Sequence, residues 1–452
     1  MLEKIFKLSE NKTNVKTEVV AGITTFMTMA YILAVNPSIL GDAGMDSTAV
    51  LLATALASFI GTAAMALMAN LPFALSAGMG LNAYLAYTVC GVMGYDWRVA
   101  LLAVFVEGLI FIVMSLTNIR EAIFNAIPLS LKRGVSVGIG LFIAFIGLQN
   151  AGLCVDGSTL VELTDFTENF NSKGICALLC VIGVLITAAL HIKKVKGSML
   201  IGIVVTWGLG MLCQLTKLYL PAPELGCYSM FPTMALTDFT KLSETAGQCF
   251  KVDFSVVKPM EFVVVIFAFL FVDIFDTLGT LIGVSTKANM LDEEGRLPKI
   301  KPALMADAIG TTIGAALGTS TVTTFVESAS GVEAGGRTGL TALVTGFMFL
   351  ACMFIAPIAA IIPPAATSAA LIYVGILMLQ GLKNVDFEDL DQALPVTLML
   401  IGMPISSSIG HAIGLGLISY TVIKVLTGKF KDVSIVTYLI SALFLVKFFL
   451  AV

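Results

Sequence analysis

The sequence predicts an all-α polytopic membrane protein with fourteen transmembrane segments, arranged as two inverted seven-span repeats. Of its 452 residues, 58% are hydrophobic and only 12% are charged, whereas a soluble domain is about one quarter charged. Apolar runs of the length that crosses a hydrocarbon core recur along the whole chain. The two halves also share short motifs in the same order.

The apolar runs place seven spans in each half of the chain. The first seven lie near residues 18–38, 49–70, 74–91, 98–117, 132–151, 174–191 and 198–216. The second seven lie near residues 260–283, 302–318, 320–335, 338–357, 364–381, 392–404 and 408–426. A last apolar stretch, 433–451, lies beyond this unit, and the sequence does not show whether it crosses the membrane.

Basic residues in short loops set the orientation, because loops rich in Lys and Arg stay in the cytoplasm. Lys and Arg cluster in the N-terminal tail and in the loops 120–133, 191–197, 287–301 and 424–431. All of these fall on one side if both ends of the fourteen-span unit are cytoplasmic. The predicted divisions are therefore a tail at 1–17, a first repeat at 18–216, an extracellular loop at 217–258, a second repeat at 259–426 and an apolar extension at 427–452.

The two repeats are recognised by setting Gly61-Thr62 on Gly310-Thr311. On this alignment Gly78 and Glu327 coincide. Seven is an odd number of spans, so the second copy must insert upside down, and inverted repeats are typical of secondary transporters. Chance similarity between Gly- and Ala-rich helices is the alternative interpretation.

Two segments at equivalent positions in the repeats do not resemble ordinary spanning helices. "PFALSAGMGLNAYLAY" (72–87) is interrupted by small residues and contains Asn82. "TVTTFVESASGVEAGGRTG" (321–339) is polar and Gly-rich, and its first part, Thr321 to Val326, favours a short extended segment. Transporters bind substrate where such interrupted spans expose polar groups near the middle of the bilayer.

Among the acidic residues in or near predicted spans, Asp273, Asp276 and Glu327 are the candidates for a functional site, whereas Asp307, Glu107 and Glu333 also lie near spans but are not taken as ligands. A carboxylate in hydrocarbon costs several kcal/mol, so acids at this depth are functional candidates by default. The alternative is structural, because neighbouring hydroxyl groups can satisfy them, and Thr277 and Thr280 make this alternative strongest for Asp276.

A site rich in carboxylates suits a cation, or a neutral molecule with several N–H donors, better than an anion. Asn82 offers both a donor and an acceptor, as the edge of a heterocycle requires. Phe325 and Phe26 are candidates to stack on a planar ring, although plain packing is the commoner role of aromatic residues. A titratable acid in such a site can also load and release a proton.

Four stretches together resemble the AzgA-like hypoxanthine/guanine/adenine permeases of the nucleobase–ascorbate transporter superfamily. They are "KTEVVAGITTFMTMAYILAVNPSIL" (16–40), "SAGMGLNAYLAY" (76–87), "FVDIFDTLGTLIG" (271–283) and "TSTVTTFVESASGVEAGGRTGL" (319–340). The resemblance implies an importer of purine bases by proton symport in the plasma membrane. It implies a core domain of spans 1–4 and 8–11, a gate domain of spans 5–7 and 12–14, and short β-strands in spans 3 and 10. It also implies a homodimer with elevator-type alternating access.

The resemblance also assigns roles to residues. The family's acids in the eighth and tenth spans fall on Asp273 and Glu327, and its third-span asparagine falls on Asn82. We expect Asp273 and Glu327 to hold N–H groups of the base, and one of them, or Asp276, to carry the coupling proton. We expect Asn82, Phe325, Ser328 and Thr324 to complete the substrate site, with no metal, no cofactor other than the coupling H⁺, and no nucleic-acid partner.

Uracil and xanthine members of the superfamily tend to carry glutamate, and in some cases histidine, where this chain has Asp273 and Thr277, which favours the purine branch. An intramembrane aspartyl protease is an alternative, but the chain lacks its Gly-x-Gly-Asp pattern. An anion transporter or channel on a related fold would require basic residues at the interrupted spans. The sequence leaves open which purine is preferred, whether Na⁺ replaces H⁺, and whether Cys227 and Cys249 form a disulfide.

Overall fold

The computed structural model describes residues 2–117, 128–157, 160–232, 236–288, 290–292, 297–359, 361–406 and 408–450. The basic loops 120–133 and 287–301, on which the predicted orientation depends, lie partly outside the described residues. The described part of the chain is mostly helical, as the sequence predicts.

The first half contains α-helices and, at Met65–Ala69, Tyr84–Val92 and Phe170–Gly174, π-helical segments. The α-helices are α1 (Leu2–Phe6), α2 (Val15–Met29), α3 (Ile32–Asp42), α4 (Ser47–Ala64), α5 (Met79–Ala83), α6 (Trp97–Leu116), α7 (Leu129–Asn150), α8 (Ile175–Ile192) and α9 (Ser198–Leu215). Several of these helices have a polar N-terminal capping residue. The side chain of Asn14 accepts from the main-chain N–H of Thr17 at the start of α2, and Asp46 accepts from that of Ala49 in α4.

The second half begins with a long helix that carries two of the candidate acids. Its α-helices are α10 (Pro259–Lys287), α11 (Ile300–Leu317), α12 (Ser328–Glu333), α13 (Gly339–Cys352), α14 (Ala356–Ala359), α15 (Pro364–Met378), α16 (Leu390–Ser406), α17 (Ile409–Leu426) and α18 (Ile435–Leu450). Short 3₁₀ segments occupy much of the connection between α9 and α10.

Nine helical segments among the described residues are long and apolar enough to cross a membrane. They correspond to the first, second, fourth to eighth, twelfth and fourteenth predicted spans. Two of the other predicted spans, the third and the tenth, are built from a strand and a short helix. The eleventh and thirteenth correspond to the shorter apolar helices α13 and α16, and the ninth corresponds to α11.

The short strands expected in the third and tenth spans are present and pair with each other. Strand β1 (Leu75–Ala77) runs antiparallel to β4 (Val322–Thr324). Within the extended segment predicted from Thr321 to Val326, the structure places a strand at Val322–Thr324 and a turn at Val326. A second antiparallel pair, β2 (Cys154–Asp156) with β3 (Val161–Leu163), forms a hairpin within the loop after α7 that the sequence analysis did not predict.

The helices pack in two groups. In the first, α6 packs on α11, α4 on α11 and α13, and α2 on α12 and α13, while α10 packs on α6. In the second, α7 packs on α15 and α16, α8 on α9 and α15, and α16 on α17. The paired strands belong to the first group, since β1 packs on α4 and β4 on α10 and α11.

The last apolar stretch forms α18, which packs against α17. Its Ser441 hydroxyl lies 2.8 Å from the Thr421 hydroxyl, and its Phe444 ring makes edge contacts with Phe267 and Phe271 of α10. Cys227 and Cys249 are both free thiols. The thiol of Cys227 donates to the Leu225 carbonyl at 3.8 Å.

Candidate functional site at the paired strands

The paired strands meet inside the first helix group, where every strand residue is buried. Ser76 lies opposite Thr323 at the centre of the pair. Main-chain hydrogen bonds continue beyond both ends, from Gly78 N–H to the Thr321 carbonyl at 2.9 Å and from Phe325 N–H to the Ala74 carbonyl at 3.0 Å. The pair therefore satisfies main-chain groups that two interrupted spans would otherwise leave open inside the membrane.

Each strand is fastened to its preceding helix by one threonine. The Thr62 hydroxyl lies 2.9 Å from the Leu75 nitrogen and 3.1 Å from the Leu75 oxygen. The Thr311 hydroxyl lies 3.2 and 3.1 Å from the same two atoms of Val322. These contacts make Leu75 the structural counterpart of Val322. This pairing differs by two residues from the pairing that the sequence alignment gives. Glu327 is then the counterpart of Gly80 rather than of Gly78.

Asp276 lies directly against the strand pair. Its Oδ2 atom accepts a 3.4 Å hydrogen bond from the Thr323 hydroxyl. The same oxygen lies 3.4 Å from the place that a Cβ atom on Gly78 would occupy. Asp276 is only half-buried. It therefore remains accessible where α10 crosses the two strands.

Glu327 follows β4 and is also half-buried. Its Oε1 atom accepts a 2.8 Å hydrogen bond from the hydroxyl of Tyr31, at the junction of α2 and α3. Asp276 interacts electrostatically with Asp307 and, more weakly, with Glu327. Two carboxylates from different spans thus flank the end of β4.

Asn82 lies in α5, one turn beyond β1, and is fully buried. Its Oδ1 atom accepts a hydrogen bond from the Ser320 hydroxyl. Among the described residues, nothing pairs with its Nδ2 atom. The hydroxyl of Thr324, only 2% exposed, likewise has no hydrogen-bond partner in the described part of the chain. Both groups can satisfy a polar ligand.

The other predicted site residues lie nearby but have structural contacts. The Ser328 hydroxyl accepts from the Ala74 N–H at 3.0 Å and so ties the start of α12 to the start of β1. Phe325 is 7% exposed at the end of β4. The Phe26 ring packs edge-on against Phe349, with the ring centroids 5.3 Å apart, which favours its packing role.

Asp273 lies in a different environment from Asp276, although the two are neighbours on α10. It is fully buried, and its Oδ1 atom lies 2.7 Å from the Thr277 hydroxyl. The same hydroxyl lies 2.9 Å from Oδ1 of Asp307, which is also fully buried, on α11. Asp273 therefore belongs to a polar network between α10 and α11, whereas Asp276 and Glu327 lie beside the strands.

Three contributors to this site were not predicted from the sequence: Tyr31, Thr323 and Ser320. Tyr31 lies within the resembling stretch 16–40, and its hydroxyl in an otherwise apolar run is the one available signal. Its partner Glu327 is 296 positions away, so no local pattern reveals the contact. Among the described residues, no cluster of three or more His, Cys, Asp or Glu side chains is placed to hold a metal ion.

Comparison with known proteins identifies the family. A sequence model described as the permease family, Xan_ur_permease, matches residues 16–413. The chain belongs to this family. It is therefore an integral membrane permease and not an enzyme, and its resemblance to the nucleobase–ascorbate transporters is confirmed.

Two relatives match this permease over nearly its whole length. Adenine permease AdeQ of Escherichia coli is 40% identical over 99% of this chain and 96% of its own. Guanine/hypoxanthine permease PbuO of Bacillus subtilis is 41% identical over 99% of this chain and 100% of its own. The fold also matches the transmembrane domain of the cyanobacterial bicarbonate transporter BicA, with a TM-score of 0.65 at 16% identity, covering 88% of this chain and 97% of that one.

Proposed function

We propose that this permease imports purine nucleobases across the cell membrane by proton symport. The observation that carries the proposal is the pair of half-buried carboxylates, Asp276 and Glu327, that flank the paired strands. The names of AdeQ and PbuO support purine bases as the substrate class, and they leave adenine, guanine and hypoxanthine as candidates.

The site chemistry fits a purine edge. Asp276 and Glu327 accept hydrogen bonds from N–H groups of the base, since ionised carboxylates are acceptors only. The buried amide of Asn82 and the hydroxyl of Thr324 supply further polar contacts to ring nitrogen or carbonyl atoms. Phe325, at the end of β4, covers the ring. Asp276 thereby takes a substrate role beside Glu327 that the sequence analysis had given chiefly to Asp273.

The network around Asp273 supports a separate role in proton coupling. Thr277 has one hydroxyl proton but lies within hydrogen-bond distance of both Asp273 and Asp307. Both contacts are full hydrogen bonds if one of the two carboxyl groups carries a proton, since the hydroxyl then accepts from that group and donates to the other. We assign the coupling proton to this pair, next to the acid that contacts the strands.

An elevator mechanism requires two bodies that move relative to each other. The two packed helix groups are the candidates for the core and gate domains. The matching contacts of Thr62 and Thr311 support inverted repeats within the core. A small polar cluster joins the bodies, because Asn150 of α7 donates to Asp42 and Tyr87 of the core at 3.3 and 3.0 Å. On the predicted topology, with both ends of the unit cytoplasmic, this cluster is extracellular.

The fold likeness to BicA does not favour anion transport by this chain. An anion needs positive charge or exposed N–H donors at the site, whereas two carboxylates flank these strands.

We also propose that the permease functions as a homodimer, as the family resemblance implies.

The test is uptake of radiolabelled hypoxanthine, guanine and adenine into proteoliposomes under an inward proton gradient. We expect accumulation by the wild type, competition by unlabelled purines but not by uracil or xanthine, and collapse with a protonophore. Glu327→Gln should abolish accumulation. The matched control is Glu162→Gln, which makes the same change on the exposed β3 strand. Wild-type uptake by Glu327→Gln would contradict the site, and uptake that ignores the protonophore would contradict symport.

A further inference from the structure

The helical hydrogen bonding of the first span is interrupted at its middle, beside Glu327, although Ala30 and Tyr31 keep right-handed helical dihedral angles. Helix α2 ends at Met29 and α3 begins at Ile32, within one apolar segment of 28 residues from Val15 to Asp42. Ala30 and Tyr31 join the two helices. An interruption at this depth is tolerated where it lies against protein or a cavity, and here it lies against the segment that follows β4.

Three contacts fix this junction to the tenth span. The Tyr31 hydroxyl donates to Oε1 of Glu327 at 2.8 Å. One turn earlier, the Thr28 hydroxyl lies 2.9 Å from the Ser330 hydroxyl and 3.5 Å from the Glu327 carbonyl. The Glu327 main chain is thus held independently of its carboxylate, so the Tyr31 contact acts on the side chain alone.

Tyr31 is completely buried, which fixes the direction of its hydroxyl. Among the described residues, it is the one group that donates a side-chain hydrogen bond to the Glu327 carboxylate. That contact occupies Oε1, the main-chain N–H of Glu327 also lies against the carboxylate, and no side chain in the described part of the chain donates to Oε2. A carboxylate oxygen accepts hydrogen bonds from N–H groups. Asp276 is the neighbouring acid that interacts with this carboxylate.

We propose that Tyr31 is a positioning residue for substrate recognition, which holds Oε1 of Glu327 so that Oε2 accepts an N–H group of the base. This inference rests on the proposed function, because it assumes that Glu327 contacts a purine. It assigns to the first span a part in recognition that acts through another side chain. Tyr31 itself does not touch the substrate.

The test is equilibrium binding of radiolabelled hypoxanthine, guanine and adenine to the purified full-length protein, combined with a double-mutant cycle. Tyr31→Phe removes one oxygen atom and keeps the ring. We expect it to weaken binding of the preferred purine about tenfold, the scale of one hydrogen bond to a charged group. In uptake assays KM should rise by a similar factor, with a smaller change in the maximal rate. Tyr219→Phe is the control. Tyr219 is a similarly buried tyrosine, and its hydroxyl donates to the Tyr228 carbonyl, outside the candidate site.

The cycle separates positioning from a general structural effect. With Glu327→Ala as the background, Tyr31→Phe should cause little further loss of affinity, because the side chain that Tyr31 positions is absent. Unchanged affinity in Tyr31→Phe, or an equal further loss in the Glu327→Ala background, would overturn the inference. If Tyr31→Phe does not fold, Glu327→Asp tests the contact from the acceptor side by withdrawing the carboxylate, and wild-type affinity in that variant would overturn it. A wild type that binds no purine would overturn both proposals, whereas a binding wild type with an unaffected Tyr31→Phe variant overturns only this one.

Discussion

Thr62 and Thr311 make the same two contacts in the two halves of the molecule, each with the main-chain nitrogen and oxygen of the first residue of its own strand. The four distances lie between 2.9 and 3.2 Å. Gly61 and Gly310, the residues before them, lie against each other, with a Cβ atom on Gly61 only 3.4 Å from the Gly310 Cα atom. The paired strands are therefore held in place by one small motif used twice.

Replacing either threonine by valine should destabilise the strand pair. The substitution keeps the shape but removes the hydroxyl, and each buried main-chain group left without a partner costs about 1–3 kcal/mol. We expect Thr62→Val and Thr311→Val each to lower the thermal unfolding temperature in detergent. The variants Thr62→Ser and Thr311→Ser keep the hydroxyl and should lower this temperature much less. Thr216→Val, at an exposed helix end, is the control. Equal unfolding temperatures for all of these variants would refute the role of the motif.

Replacing Asp273 and replacing Asp276 of α10 should give different defects. Asp276→Asn should abolish purine binding, because this carboxylate lies beside the strands. Asp273→Asn should retain binding but lose accumulation driven by a proton gradient, because its network with Thr277 and Asp307 lies between helices. Binding and gradient-driven uptake measured on the same preparations distinguish the two. The reverse pattern would return the substrate role to Asp273.

Crowding Asp276 from the strand side should weaken binding without unfolding the protein. A Cβ atom on Gly78 would lie 3.0 Å from the Thr323 hydroxyl oxygen and 3.4 Å from the Asp276 carboxylate. We therefore expect Gly78→Ala to reduce purine affinity several-fold. Gly279→Ala is the matched control on α10, since a Cβ atom there meets nothing within 4 Å. Affinity that is equal in the two variants would contradict the position of Asp276 in the site.

Glu18 should be needed for stability. This fully buried carboxylate accepts from the N–H groups of Arg337, Thr338 and Thr341 and from both threonine hydroxyls, at 2.7 to 3.2 Å. It thus joins α2 to the start of α13. Since hydrogen bonds to a charged group contribute about 1.5–3 kcal/mol each, Glu18→Ala should sharply lower the unfolding temperature in detergent. Glu162→Ala, on the exposed hairpin, should leave it unchanged, and a matching value for the two variants would contradict this role.

The contacts of Asn150 should influence the balance between transport states. Its side chain is the link from α7 to the hydroxyl of Tyr87 and the carboxylate of Asp42. We expect Asn150→Ala to favour the state in which the predicted extracellular side of the site is open. A cysteine introduced at the cluster should then react faster with a membrane-impermeant thiol reagent added outside. Reaction rates that do not change with Asn150→Ala would show that the cluster does not hold the two bodies together.

The sequence predicted those features of the fold that local patterns encode. Hydropathy located the helices, and the β-branched run from Thr321 to Val326 located β4. The alignment of the repeats was wrong by two residues near Glu327, because the connection from Thr62 to Leu75 is two residues longer than that from Thr311 to Val322. An alignment that rests on similar Gly- and Ala-rich helices cannot show where one connection is two residues longer than the other.

The sequence could not determine how α10 is rotated. Asp273 and Asp276 are three residues apart and therefore lie on neighbouring positions of one face. Which of them meets the strands depends on packing against α6 and α11, and this is not visible in the apolar pattern of the helix. The contact of Tyr31 with Glu327 was beyond sequence analysis for a similar reason, since it joins spans 296 residues apart.

The central claim is tested most directly by measuring proton entry that depends on a purine. Proteoliposomes that contain the purified protein and a pH-sensitive dye would receive hypoxanthine, guanine or adenine from outside, at equal internal and external pH. Proton symport predicts internal acidification when the preferred purine is added. It predicts no acidification when uracil is added to the wild type or when the purine is added to the Glu327→Gln variant. Purine entry without acidification in the wild type would contradict proton symport, and entry of no purine at all would contradict the proposed function.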